Sequence, residues 1–161
     1  MHVKRWQEII NSSRIPSRRI ILELDEKLYI EDSLEVRHAL NQLLMMGVQL
    51  SLDDFGSGDS SLKMLKNMPV SALKVDFKPQ PHCVVDSREY KLNLALVKMG
   101  LTLDLMITAV GIEHPRQLEL LQQAGCHYVQ GYLFSEPLSP EEFRKRLPIR
   151  ICPLQPASAA S

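Results

Sequence analysis

The stretch Leu50-Ser51-Leu52-Asp53-Asp54-Phe55-Gly56-Ser57-Gly58 joins an apolar strand to two adjacent carboxylates and a glycine loop. Val48, Leu50 and Leu52 alternate with polar positions, which predicts a half-buried strand that ends at the acids. Adjacent aspartates repel one another unless a cation lies between them, and hard oxygen donors at a strand end suit Mg²⁺, Mn²⁺ or Ca²⁺. A second reading stands beside this one: Asp53 and Asp54 open a turn with Gly56 and Gly58. The residues alone leave both open.

Working outward, the chain alternates strands and helices. Upstream, Ile20 to Glu26 reads as a strand with Glu23 on the face opposite Leu22 and Leu24. Asp32-Ser33 can cap a helix with Val36, Leu40, Leu43 and Leu44 on one face, and Gly47 stops it. Val3, Trp6, Ile9 and Ile10 recur at helical spacing, so the first dozen residues form an amphipathic helix. Downstream, Ser60-Ser61 can cap a helix that buries Leu62, Leu65 and Met68, ended by Pro69. In the strand Ala72 to Phe77, Leu73, Val75 and Phe77 share one face while Lys74 and Asp76 share the other.

Further on, Asp86-Ser87 caps a helix carrying Tyr90, Leu94, Val97 and Leu101, and a strand follows over Met106 to Ile112. A helix from His114-Pro115 with Leu118 and Leu121 inward closes at Gly125, and Tyr128 to Phe134 reads as the fifth strand. Ser139-Pro140-Glu141-Glu142 opens a short helix carrying Phe143 and Leu147. Residues 1–147 are expected to form one domain, and 148–161, rich in Pro, Ala and Ser, a disordered tail. Such alternation implies a parallel sheet of right-handed βαβ units, and no Gly-x-Gly-x-x-Gly turn marks a dinucleotide fold.

Composition narrows the class. The 161 residues are 45% hydrophobic, with 19 basic and 19 acidic side chains in balance, so charge makes no case for nucleic acid or an anionic membrane. No apolar run is long enough to span a bilayer. Cys83, Cys126 and Cys152 have no metal-ligand spacing, which fits reduced thiols and a cytoplasmic location. His38, His82, His114 and His127 share no ligand spacing either. Cys126 reads as a small core residue.

Five units stand in order at strand ends: Glu23-Leu24-Asp25-Glu26, Asp53-Asp54-Phe55-Gly56-Ser57-Gly58, Lys74-Val75-Asp76, Gly111-Ile112-Glu113 and Gln130-Gly131-Tyr132, with Pro137 after the last. This order resembles the EAL family of bacterial cyclic di-GMP phosphodiesterases, from about Trp6 to Leu147. The resemblance implies a TIM-type (β/α) barrel, Mg²⁺- or Mn²⁺-assisted opening of cyclic di-GMP to pGpG, and a site at the strands' C-terminal ends. It makes Glu23, Asp53 and Asp54 metal ligands, with Asp76 beside them, and Glu26 the support of the glycine loop. Lys74, Gln130 and Glu113 take the catalytic positions around the phosphate and its water.

Three departures accompany the matches. No Glu-Ala-Leu motif or following asparagine precedes Glu23; Val110 occupies the position of the family's general base; and Asp59 replaces a tyrosine in the glycine loop. A valine cannot accept a proton, and general acid–base catalysis is worth roughly 10²–10⁴-fold. A full barrel takes eight strands and about 250 residues. The expectation is therefore an incomplete α/β barrel of about five parallel strands, the C-terminal portion of an EAL domain. It is expected to bind cyclic di-GMP or a protein without turnover, with weak metal affinity; the alternatives are an active phosphodiesterase and a fragment that retains only the fold. Its open barrel edges would expose bulky interior side chains and be met by a second copy or a partner protein, or in part by the first helix folding over the opening through Trp6.

Overall fold

A computed structural model describes residues 3–25, 34–56, 61–77 and 87–147, apart from the side chains of Val3, Ser61 and Lys63. Five strands form one sheet in the order β1 (Ile21–Asp25), β2 (Gln49–Asp53), β3 (Ala72–Asp76), β4 (Met106–Val110) and β5 (Tyr128–Gln130), each parallel to its neighbour. Helices α1 (Val3–Ser12), α2 (Leu34–Met45), α3 (Ser61–Asn67), α4 (Arg88–Thr102), α5 (Pro115–Gln123) and α6 (Pro140–Arg146) alternate with them. This is the incomplete parallel α/β barrel expected from the sequence. Glu26, Asp32, Ser33, Asp59, Ser60, His82, Cys83, Cys152 and the tail 148–161, all given a reading above, lie outside the described residues.

The period-two alternation puts Leu50, Leu52, Leu73, Val75, Phe77, Ile107 and Ala109 on the helix-covered face, every one at 1% exposure or less. Tyr90 and Val97 of α4, Met64 of α3 and Leu121 of α5 complete this core, and Phe77 meets Tyr90 edge to face at 5.3 Å. Strands buried on this face against helices, rather than a hydrophobic contact across the sheet's other face, hold the molecule together.

Local signals place the helix ends. Gly47 and Gly125 stop α2 and α5 with φ of +89° and +81°. Ser87 caps α4 by accepting the Tyr90 N–H, and Ser139 with Glu142 forms the capping box of α6. At α5 the side chain of Gln117 accepts the N–H groups of both Glu113 and His114 at 2.9 Å. Gln117 is buried at 2% exposure, and no sequence pattern above singled it out.

Four expectations are corrected. Leu62 is 64% exposed and Met64 takes its place in the core, since the apolar side of α3 follows the faces of β2 and β3 rather than the first leucine after the cap. β4 stops at Val110, where Gly111 turns with φ of +78°, not at Ile112. β5 spans Tyr128–Gln130 only: after Gly131 the chain folds back, with the N–H groups of Phe134 and Ser135 both reaching the Gly131 carbonyl. Helix α1 does not fold across the open face. Ile10 packs with Leu43 and Val48 beside α2, on the helix layer, while Trp6 stays half exposed.

Candidate functional site

The uncovered face of the sheet carries the other half of each strand's alternation. Ile21 and Glu23 of β1, Gln49 and Ser51 of β2, Ala72 and Lys74 of β3, Met106 and Thr108 of β4, and Tyr128 and Gln130 of β5 line one open groove of about 430 Å³, closed at its lower end by Arg18 and Arg19. Small and polar side chains outnumber bulky apolar ones here, contrary to the expected barrel filling. Ile21, Met106 and Tyr128 are the exceptions, with Ile21 and Tyr128 at 46% and 58% exposure.

Register sets the upper rim. Asp25 pairs with Asp53, and Asp76, Val110 and Gln130 stand level across β3, β4 and β5. Parallel strands end on one side, so residues distant in sequence become neighbours there. Of the residues the resemblance singled out, Glu23, Asp53, Asp76, Val110 and Gln130 reach this face and rim. Asp54 lies just past the end of β2, and Glu113 beyond Gly111, where its backbone N–H is held by Gln117.

One contact crosses three strands. Lys74 Nζ donates to Glu23 Oε2 at 2.9 Å and stands 3.6 Å from Asp53 Oδ1, although β2 separates β3 from β1. Neighbouring strands lie about 4.8 Å apart, so the lysine stem must pass over the intervening strand. On β2 the register sets Ser51 opposite Glu23 and Ala72, while Lys74 starts two positions further along β3, so its side chain runs obliquely back toward the level of Glu23. Ser51 is a lone small polar residue between Leu50 and Leu52 in the sequence, but the meeting of Lys74 with Glu23 is a property of the assembled sheet.

Burial disfavours the Lys74 ammonium, yet the hydrogen bond to Glu23 and the charges of Asp53 and Glu23 outweigh it and raise its pKa above the ordinary lysine value. Asp53 also accepts the Asp54 N–H at 3.0 Å, and Asp54 adopts φ of +51°, a left-handed conformation that aspartate tolerates better than most residues. Asp54 is thus where the chain turns out of β2. A cation does stand beside Asp53, and it is Lys74.

A divalent metal asks for about six oxygen ligands. Among the described residues, no three Asp, Glu, His or Cys side chains come together to hold one. The carboxylates closest to such a role, Glu23 and Asp53, are bridged by an ammonium. This donor set does not fit a tight metal site. Cys126 has its thiol pushed up by burial and points at the Ile107 and Tyr128 carbonyls, while His127 Nδ1 accepts the Ile107 N–H, so both serve packing.

With this geometry in view, comparison with known proteins decides the family. The EAL domain model matches residues 2–137. The chain belongs to the EAL domain family. It is 39% identical over 134 residues to the bifunctional diguanylate cyclase/cyclic di-GMP phosphodiesterase MucR of Pseudomonas aeruginosa, a match covering 83% of this chain and 19% of MucR. The MucR phosphodiesterase solved as a cyclic di-GMP complex superposes with a TM-score of 0.76 at 36% identity, covering 88% of this chain and 63% of that one. Klebsiella pneumoniae BlrP1, solved as a manganese and cyclic di-GMP complex, gives a TM-score of 0.73 at 25% identity, covering 84% of this chain and 34% of BlrP1. The EAL chain described here thus spans well under the full length of these relatives. No helix among its described residues is long and apolar enough to cross a membrane.

Proposed function

We propose that this EAL chain recognises cyclic di-GMP at the strand-end rim without hydrolysing it. The observation that carries this reading is Val110, which stands level with Asp76 and Gln130 where the family resemblance expects a general base. An isopropyl group takes no proton from water. Beside it, Gln130 keeps an amide able to donate to a phosphodiester oxygen. The likeness to a MucR phosphodiesterase solved with cyclic di-GMP supports the choice of nucleotide. A cytoplasmic location belongs to the same reading, because the three scattered cysteines fit reduced thiols.

Calorimetric titration with cyclic di-GMP, with pGpG followed by chromatography in Mn²⁺ buffer, tests the proposal. Binding without pGpG is the expected result. Formation of pGpG would establish the active-phosphodiesterase alternative, and no binding at all would leave a fold without this ligand.

The reading extends to assembly. Among the described residues β1 and β5 each pair on one side only, and each carries an exposed apolar side chain, Ile21 on β1 and Tyr128 on β5. Unpaired strand edges beside apolar surface favour association. Light scattering is expected to give a mass of twice the chain or more at micromolar concentration. A monomer stable down to low micromolar protein would refute this.

A further inference from the structure

We infer that Lys74 is the resident cation of this groove, an internal ammonium that ties β1, β2 and β3 together through Glu23 and Asp53 and competes with a divalent metal for those two carboxylates. The inference goes beyond the nucleotide-binding reading and does not depend on it, since it concerns the groove without nucleotide. Three observations converge. Nζ lies within 2.9 Å of Glu23 and 3.6 Å of Asp53, so it occupies the space between the two acids. The Lys74 side chain is only 15% exposed, which shows that it lies down in the groove rather than extending into solvent. Ser51, in register with Glu23, lines the open groove yet is only 3% exposed, so the groove floor beside Glu23 is covered.

The consequence is electrostatic. Two carboxylates with an ammonium between them carry one net negative charge instead of two, and one oxygen of each already has a hydrogen-bonding or close cationic partner. A hard cation entering here must displace the ammonium or tolerate a like charge at contact distance, and both weaken its binding. The two carboxylates are 48% and 36% exposed, so water screens the pairing and it adds little to folding; its effect falls on what the groove binds. In the full set of EAL ligands implied by the resemblance, further oxygens would tip the balance toward metal. With Glu23 and Asp53 as the convergent pair, the lysine wins.

The test uses Mn²⁺ alone, without nucleotide, and reads both free-ion electron paramagnetic resonance and site-specific broadening of backbone amide signals. The unmodified chain is expected to show no selective broadening at Glu23, Ser51 or Asp53 below about 10⁻³ M Mn²⁺, the range of weak oxygen-ligand sites. Lys74→Met removes the competing charge and keeps the stem, and is expected to bind Mn²⁺ at least about tenfold more tightly, with broadening centred on those residues. Lys74→Gln repeats the test with a polar head should the methionine variant not fold. Micromolar Mn²⁺ uptake at these residues in the unmodified chain would overturn the inference, and so would folded variants that gain no affinity. Neither outcome bears on cyclic di-GMP binding, which the titration above decides separately.

Discussion

Gly131→Ala is expected to destabilise the protein by about 3–5 kcal/mol, enough to leave a domain of ordinary stability partly unfolded. A Cβ built at Gly131 would lie 2.0 Å from the Ile112 carbonyl oxygen, 2.3 Å from its nitrogen and 2.6 Å from its carbonyl carbon. These are backbone atoms of a fully buried residue, and they cannot turn aside as a side-chain end can. Retreat is also blocked, because the Ile112 N–H donates to the Gln130 carbonyl at 3.1 Å and the Leu133 N–H to the Ile112 carbonyl at 3.0 Å. Separating the segments breaks both bonds and strands buried polar groups, each worth about 1–3 kcal/mol. Gly125→Ala provides the comparison: its Cβ would meet only Leu101 Cδ1 at 3.7 Å, leaving the left-handed φ of +81° as the cost, about 1–2 kcal/mol. Urea unfolding of the two variants measures the difference. Equal, small losses would show that the turn after β5 yields without resistance.

Val110→Glu is expected to leave the chain without measurable conversion of cyclic di-GMP to pGpG under conditions in which an active relative assayed alongside turns over readily. The substitution places a carboxylate level with Asp76 and Gln130, facing the groove, so the geometry for proton transfer is available. A base is effective only when the water it activates and the phosphate under attack are also polarised. Here the two convergent carboxylates are engaged by Lys74, and the described residues bring no third metal-binding side chain to them. Chromatographic assay in Mn²⁺ buffer checks this, and readily measured turnover from the single substitution would show that the base was the one missing part. Val110→Glu combined with Lys74→Met separates the two defects further: metal uptake without turnover is the expected pattern.

The sequence by itself determined the family, the parallel α/β class and the split of each strand into two faces. Period-two alternation is a local property of the backbone, so Leu73, Val75 and Phe77 could be assigned one side and Lys74 and Asp76 the other before any partner strand was known. Capping residues at Ser87 and Ser139 were legible for the same reason, as were the left-handed stops at Gly47 and Gly125. What lay beyond local pattern was decided by tertiary structure. Met64 replaced Leu62 in the core because the neighbouring sheet, not the helix, selects which side is buried. The fifth strand ended early because Gly131 meets Ile112 across a distance of nineteen positions in sequence. Helix α1 settled on α2 through Ile10, since that contact buried apolar surface against an existing layer. Above all, the pairing of Lys74 with Glu23 depends on the registers of β1 with β2 and β2 with β3. Residues fifty-one positions apart become hydrogen-bonded partners only once three strands are laid side by side.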